Sequence, residues 1–216
     1  KAKNNPLLVK NLLTKDFNIR ETSSEAWLTF EQLDNQATFD ISEIKPNYGI
    51  GGADLSSTTD LTAACVTFML PGDSTIYTKH MYWLPEELLE KRVNEDKVPY
   101  DVWKEQGFLR TTPGNKVHYK FVTEWFLEMR DEYGLYLPWI GYDSWSATYW
   151  VEEMQTNFGT DAMIPVIQGK RTLSGPMKSM GADLESKRIN YGNNPITKWC
   201  FSNTSVGIDR NPNIQP

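Results

Sequence analysis

The chain has 216 residues, 39% of them hydrophobic and 12% aromatic, enough apolar material for one packed domain and too much for a disordered polymer. No apolar run approaches the roughly 18–20 residues of a membrane-spanning helix, and a net charge of −6 argues against indiscriminate attraction to nucleic acid. Cys65 and Cys200 stand alone in apolar stretches with no CxxC pair, and His80 and His118 are the only histidines. A zinc site and a histidine-based triad therefore lack material, and two isolated thiols suit a reducing compartment.

The opening Lys1-Ala-Lys-Asn-Asn-Pro6 starts no signal peptide and carries no initiator Met, so the chain reads as a fragment of a longer protein. Residues 1–46 are polar and weakly patterned. Leu7, Leu8, Val9, Leu12 and Leu13 suit a short amphipathic helix. Ser24 to Leu33 carries apolar residues at helical spacing behind an N-cap at Ser23 or Ser24, and Asp34 to Pro46 reads as an extended connector. This region is expected to be a linker or the tail of a preceding domain, leaving 47–216 as the main domain.

Tyr48 to Asp54 is a strand of small residues that ends on a carboxylate. Leu61 to Leu70 is nearly continuous apolar sequence, as in a buried strand. After the turn Pro71-Gly-Asp-Ser74, Thr75 to Trp83 is rich in β-branched and aromatic residues. Three strands with short turns predict an antiparallel meander. Leu84 to Val93 reads as a helix with Pro85 in its first turn and Glu86 and Glu87 suited to its dipole. Val98 to Gly107 reads as a second, short helix, and Phe108 to Asn115 as a loop turning at Pro113-Gly114. The whole 84–116 segment is expected to be an insertion. His118 to Tyr133 is a strongly amphipathic helix stopped by Gly134, with Phe121, Val122, Trp125, Phe126 and Met129 on its apolar side. Leu135 to Tyr142 is a strand ending on Asp143, Ser146 to Phe158 a helix stopped by Gly159, and Ala162 to Gln168 a strand. A helix from Ser174 to about Arg188 is expected to break or fray at Gly181. Ile189 to Tyr191 and Ile196 to Phe201 are expected strands, and Asn203 to Pro216 is irregular. The order is three strands, an insertion, then alternating helix and strand. It predicts an α/β fold: a mixed sheet of antiparallel meander plus parallel strands, with helices on both faces.

Two strands end in acids, Ala53-Asp54 and Tyr142-Asp143. Ligands collect beyond the carboxyl ends of strands in such sheets. If the two strands are parallel neighbours, Asp54 and Asp143 converge. Paired hard oxygen ligands suit Mg²⁺ or Mn²⁺, and two such ions about 3.5–4 Å apart can hydrolyse a phosphodiester. Each acid alone has a plainer reading. Asp143 can cap the following helix, and Asp54 can close a turn with Ser56 and Ser57. The pair at equivalent strand ends tips the balance to a metal. Asp60 is a candidate outer ligand or orienter of Asp54, with an ordinary turn acid as the alternative. Asp209, the only acid near the C-terminus, is a further candidate whose plain reading is an exposed loop residue. From Lys170 to Lys198 there are six basic residues against Asp183 and Glu185. Of these, Lys170, Arg171 and Lys178 are the candidate DNA contacts, and a solvated helix face fits the charge equally well. Trp139, Trp145, Trp150 and Trp199 read as core rather than as base-stacking platforms. No Walker A loop and no GxSxG elbow occurs, and Tyr48-Gly-Ile-Gly-Gly-Ala53 lies inside a strand rather than opening a helix.

Gly52-Ala-Asp54-Leu-Ser-Ser-Thr-Thr-Asp60-Leu-Thr-Ala63 is followed in order by further blocks. These are Tyr82-Trp-Leu-Pro-Glu-Glu87, Val98-Pro-Tyr-Asp-Val-Trp103, Tyr142-Asp-Ser-Trp145, Gln168-Gly169, Leu173-Ser-Gly-Pro-Met-Lys178, and Asn193-Asn-Pro195 through Trp199 to Asn203. The ordered set resembles the nuclease domain of the large terminase subunit of tailed bacteriophages, over roughly residues 5–216. The resemblance implies an RNase H-like fold and an endonuclease that uses two Mg²⁺ or Mn²⁺ ions to cut concatemeric viral DNA during packaging. It places the family's acids on Asp54 and Asp143. The third acid, expected in an Ile-Asp-Gly-type segment near the domain's end, has no counterpart before Pro216. Asp209 precedes the expected place, so the domain is expected to lack its C-terminal end. The implied partners are double-stranded viral DNA, an N-terminal ATPase domain of the same protein, the small terminase subunit and the portal ring, with no membrane. The implied location is the host cytoplasm rather than the mature virion. Two rival readings are a catalytically incomplete docking module of the packaging motor and another RNase H-like nuclease of resolvase or integrase type.

Overall fold

The computed structural model of the protein describes residues 26–56, 60–143, 148–208 and 213–216. The expectations for Leu7 to Leu13, for a cap at Ser23 or Ser24, for Ser144 to Ala147 including Trp145, and for Asp209 lie outside the described residues.

Along Thr62–Phe68 (β2), Thr62, Ala64, Val66 and Phe68 are buried and the residues between them half-buried, the period-2 pattern of a strand with two unlike faces. β2 pairs antiparallel with Tyr48–Asp54 (β1) on one side and with Ile76–Pro85 (β3) on the other, which is the expected meander. β1 pairs parallel with Tyr136–Asp143 (β5), and β5 pairs parallel with Met163–Val166 (β6). The outer side of β3 carries two parallel partners, Leu109–Thr112 (β4) at its end and Ile189–Asn190 (β7) at its start. The sheet order is β4-β3-β2-β1-β5-β6, with β7 beside β3. The mixed sheet is as the element order predicts.

Each face has its own cover. Beneath the sheet, the helices Lys120–Asp131 (α5) and Thr148–Phe158 (α6) supply Val122, Trp125, Phe126, Met129, Trp150 and Met154. They pack on Val66, Phe68, Met81, Trp83, Leu137 and Ile140. The approach is close at Gly51, where an added Cβ would stand 2.9 Å from the Phe126 ring and 3.0 Å from Ile140. On the opposite, outer face, Tyr82 and Leu84 pack against Tyr100 and Trp103 of Tyr100–Glu105 (α4) and Ile196 of Pro195–Asn203 (α8). Covered on both faces, the last five residues of β3 are all buried. A third cluster joins Leu28 and Leu33 to Leu184 of Lys170–Glu185 (α7) and to Ile189 and Tyr191.

Several elements differ from expectation. The helix sought over Ser24–Leu33 is only Phe30–Leu33 (α1), because Thr29 and Gln32 form a capping box there. The connector holds a one-turn helix, Ile41–Ile44 (α2), capped by Asp40. Both short helices carry core residues, and Lys198 reaches back to Asp34 at 2.7 Å. The helix expected from Leu84 starts later, as Leu89–Asp96 (α3), because Leu84 is fully buried between layers and β3 runs on to pair Pro85 with Thr112. The expected loop 108–115 contains β4, so the 84–116 segment completes the sheet and the second cluster instead of standing apart as an insertion. α7 is unbroken at Gly181, which is small because Leu28 and Trp27 lie 3.6 and 3.7 Å from where its Cβ would be. Ile196 to Phe201 is helical, not a strand. Asn194 caps α8 by accepting from the N–H groups of Ile196 (2.9 Å) and Thr197 (3.2 Å), and Pro195 opens it. Near the end of the chain Gly207–Ile208 (β8) pairs antiparallel with Ile214–Gln215 (β9), and the Ile214 N–H donates to Ser174 Oγ of α7.

Candidate active site

The site is written into the alternation of β1. Gly49, Gly51 and Ala53 face the α5 side, while Tyr48, Ile50, Gly52 and Asp54 face outward. In the parallel register with β5, Ile50 lies beside Trp139, Gly52 beside Gly141, and Ala53 beside Tyr142. One residue beyond this last pair stand Asp54 and Asp143, close enough for the charge of Asp143 to act on Asp54. Both carboxylates therefore project from the outer face at the carboxyl ends of adjacent parallel strands, and the structure brings this expected pair together.

The electrostatics agree. Asp54 is exposed at the surface, yet desolvation is the first cause holding its carboxyl above the ordinary value, followed by the charge of Asp143 and then that of Asp60. Asp60, also expected, is thus close enough to add to the same negative field, and its charge extends to Arg92 as well. Ser56, two residues after Asp54, is pinned: its N–H donates to Thr62 Oγ1 at 3.1 Å, and the Tyr119 hydroxyl donates to its carbonyl at 2.8 Å. Sequence reasoning did not single out Tyr119, and its position before α5 gave no signal for this role.

Other donor types are not suited to a metal here. Burial pushes the Cys65 and Cys200 thiols up to about 11, so both are protonated at neutral pH. Burial pushes His80 down to about 4, and its Nδ1 has no hydrogen-bond partner. Among the described residues, no group of three or more His, Cys, Asp or Glu is placed to hold a metal ion. The chemistry of the donor set is thus two hard carboxylates in the added negative field of Asp60, which fits a hard divalent cation.

The basic candidates all lie on α7. Lys170 and Arg171 open the helix four residues after Val166, the strand partner of Asp143, so they start at the acid end of the sheet. Arg171 and Lys178, seven residues apart, share one side of the helix, and both are exposed. The other three basic residues of this stretch follow toward the C-terminus. Lys187 donates to the carbonyls of Glu31 and Gln32, Arg188 pairs with Asp183, and Lys198 pairs with Asp34.

Among the tryptophans, Trp150 is buried and Trp199 packs on Trp103, as expected of core residues. Trp139 is not core: it is 53% exposed on the outer face. Its partner Ile50 is exposed too, and just before this pair the register shifts around Pro138, where Tyr48 pairs with Tyr136 but Ile50 pairs with Trp139. The shift puts Tyr136 and Trp139 on the same face, which strict alternation would not do.

A mixed sheet of this topology is the RNase H-like fold of terminase nuclease domains. The crystal structure of the HK97 bacteriophage large terminase superimposes with a TM-score of 0.77 at 24% identity, covering 97% of this chain and 43% of that one. The magnesium-bound large terminase nuclease of thermophilic phage G20c superimposes with a TM-score of 0.52 at 9% identity, covering 89% of this chain and 87% of that one. The family model for the terminase large subunit, endonuclease domain, matches residues 1–216, and the chain belongs to that family. In sequence it is 27% identical over 165 residues to the terminase large subunit of Enterobacteria phage HK97, a stretch that is 76% of this chain and 32% of that protein. The chain spans less than half the length of the curated relatives it matches. Among the described residues, no helix is long and apolar enough to cross a membrane.

Proposed function

We propose that this nuclease domain is a Mg²⁺- or Mn²⁺-dependent DNA endonuclease that cuts concatemeric viral DNA during packaging, with Asp54 and Asp143 holding the cations. The observation that carries the reading is the placement of the two acids one residue beyond the last paired position of β1 and β5, close enough for the charge of Asp143 to hold the Asp54 carboxyl above its ordinary value behind desolvation. The magnesium bound to the G20c nuclease, which shares the fold, supports the choice of ion.

When bound, two divalent ions supply Lewis-acid activation of water and charge neutralisation at the phosphodiester. The chain's own residues do the rest. Asp54 and Asp143 present oxygens from two rigid strands, and Asp60 strengthens the negative field. Tyr119 and Thr62 hold Ser56, two residues after Asp54. Gly52 and Gly141 leave bare backbone on the rung before the acids, so a phosphodiester and its sugar can lie close to the sheet. Lys170, Arg171 and Lys178 are the proposed contacts to phosphates flanking the cut. The wider assignment has residues 1–46 as a linker or the tail of a preceding ATPase domain and 47–216 as the nuclease domain. Asp209 is the candidate for a third acid. The small terminase subunit and the portal ring would be its partners in the host cytoplasm.

The direct test is cleavage of plasmid DNA with Mn²⁺. Asp54→Asn and Asp143→Asn are each expected to reduce nicking and linearisation by orders of magnitude, and undiminished cutting by both would overturn the assignment. For the basic residues, replacing Lys170, Arg171 and Lys178 with Ala should flatten the plot of log affinity against log salt by about 0.9 for each phosphate no longer neutralised. An unchanged slope rejects these three side chains as DNA-binding groups.

A further inference from the structure

The outer face of the sheet is covered over β3 by α4 and α8 but left open over β1 and β5. There Tyr48 is 64%, Tyr136 67%, Trp139 53% and Ile50 48% exposed. These residues form two consecutive paired positions, Tyr48 with Tyr136 and Ile50 with Trp139. The Gly52–Gly141 rung follows, and then the two acids. Three rings therefore stand in line with the acid pair, and the register shift at Pro138 is what turns Tyr136 to the same side as Trp139.

We infer that Tyr48, Tyr136 and Trp139 form a base-stacking platform for an unpaired stretch of DNA that runs along β1 and β5 into the acid pair. The inference rests on the endonuclease reading. A polynucleotide with one phosphodiester at Asp54 and Asp143 must leave the site along the chain in two directions, and one of them is this face. Trp139 lies four residues from Asp143, roughly 13 Å along the strand, within reach of a neighbouring nucleotide.

Charge decides between duplex and single strand. The outward residues of β1 and β5 are Tyr48, Ile50, Gly52, Asp54, Tyr136, Trp139, Gly141 and Asp143, and none is basic. A duplex presents phosphates to a protein surface, and phosphates find no counter-charge here. Unpaired bases present π-faces, and exposed rings bind these without regard to sequence. Contiguous apolar surface of this kind marks an interaction site, and its continuity with the acids selects the substrate strand as occupant.

The test is anisotropy of labelled oligo-dT and of a duplex of equal length, without catalytic metal, for wild type, Trp139→Ala, Tyr136→Ala and Trp139→Phe. Trp139→Ala and Tyr136→Ala are expected to weaken oligo-dT binding by about five- to a hundredfold. Trp139→Phe should retain most of the affinity, duplex binding should change little, and oligo-dT should quench wild-type indole fluorescence more than that of Trp139→Phe. Unchanged oligo-dT affinity in both alanine variants overturns the platform. So does a wild type that self-associates in sedimentation while Trp139→Ala does not and nucleotide binding is equal, since the face would then belong to a second copy. If the Asp54 and Asp143 variants lose cleavage while Trp139→Ala binds normally, only the platform fails. If those variants cut normally, the endonuclease reading itself fails.

Discussion

Asp54 is held against its own interest in the metal-free fold, since desolvation and the charges of Asp143 and Asp60 all disfavour its ionised form. Asp54→Asn removes that repulsion and is expected to raise the metal-free melting temperature at neutral pH. Mg²⁺ should then raise the melting temperature of the wild type but not of the variant, because a ligand stabilises only the state that binds it. Scanning calorimetry reads both effects, and a lower metal-free value for Asp54→Asn would count against the site. His80 acts in the opposite sense on pH. Burial lowers it from the ordinary 6.5 to about 4, so the unfolded chain takes up a proton that the folded chain refuses. Stability is fully present above pH 6.5 and declines as pH falls toward 4, by up to about 3 kcal/mol. His80→Gln should show a shallower loss of denaturant midpoint between pH 7 and pH 5 than wild type. Residue by residue, the acids were legible because each closes an apolar strand. Trp139 was not, because its exposure depends on which part of the outer face other elements cover, and no residue pattern announces that.

Among the elements, strongly periodic segments were readable and short ones were not. β1, β2, α5 and the stop at Gly134 follow from alternation, helical spacing and a glycine at positive φ. β4 has four residues, too few for a period to show, and it exists because β3 offers an edge. In α8, Ile-Thr-Lys-Trp-Cys-Phe has the β-branched and aromatic content of a strand, and the Asn194-Pro195 start outweighs it. Asn194→Ala should therefore cost about 1–2 kcal/mol in chemical denaturation. No loss would mean that packing of Ile196 alone sets this helix. Gly51→Ala tests the close approach of sheet and helix. With Phe126 and Ile140 at 2.9 and 3.0 Å from the new methyl group, about 1–3 kcal/mol of destabilisation is expected.

Across the domain, the two sheet faces divide the labour. The face toward α5 and α6 is closed and holds the main core. Among the described residues, the outer face is closed over β3 and the adjoining part of β2, which leaves the β1–β5 half exposed. The sheet's mixed character was legible from element order, whereas the uneven cover was not, because it depends on where the 84–116 segment and α8 fold back. The net charge of −6 likewise conceals an acid end of the sheet beside which α7 starts with Lys170 and Arg171. Everything proposed for this end of the sheet depends on Asp54 and Asp143 making one divalent-cation site together. Calorimetric titration of Mn²⁺ into wild type, Asp54→Asn and Asp143→Asn decides that point. Saturable binding to wild type, and its loss in each single variant, is the expected outcome. Wild-type binding that survives unchanged in both variants, or no binding to wild type at all, would refute the site.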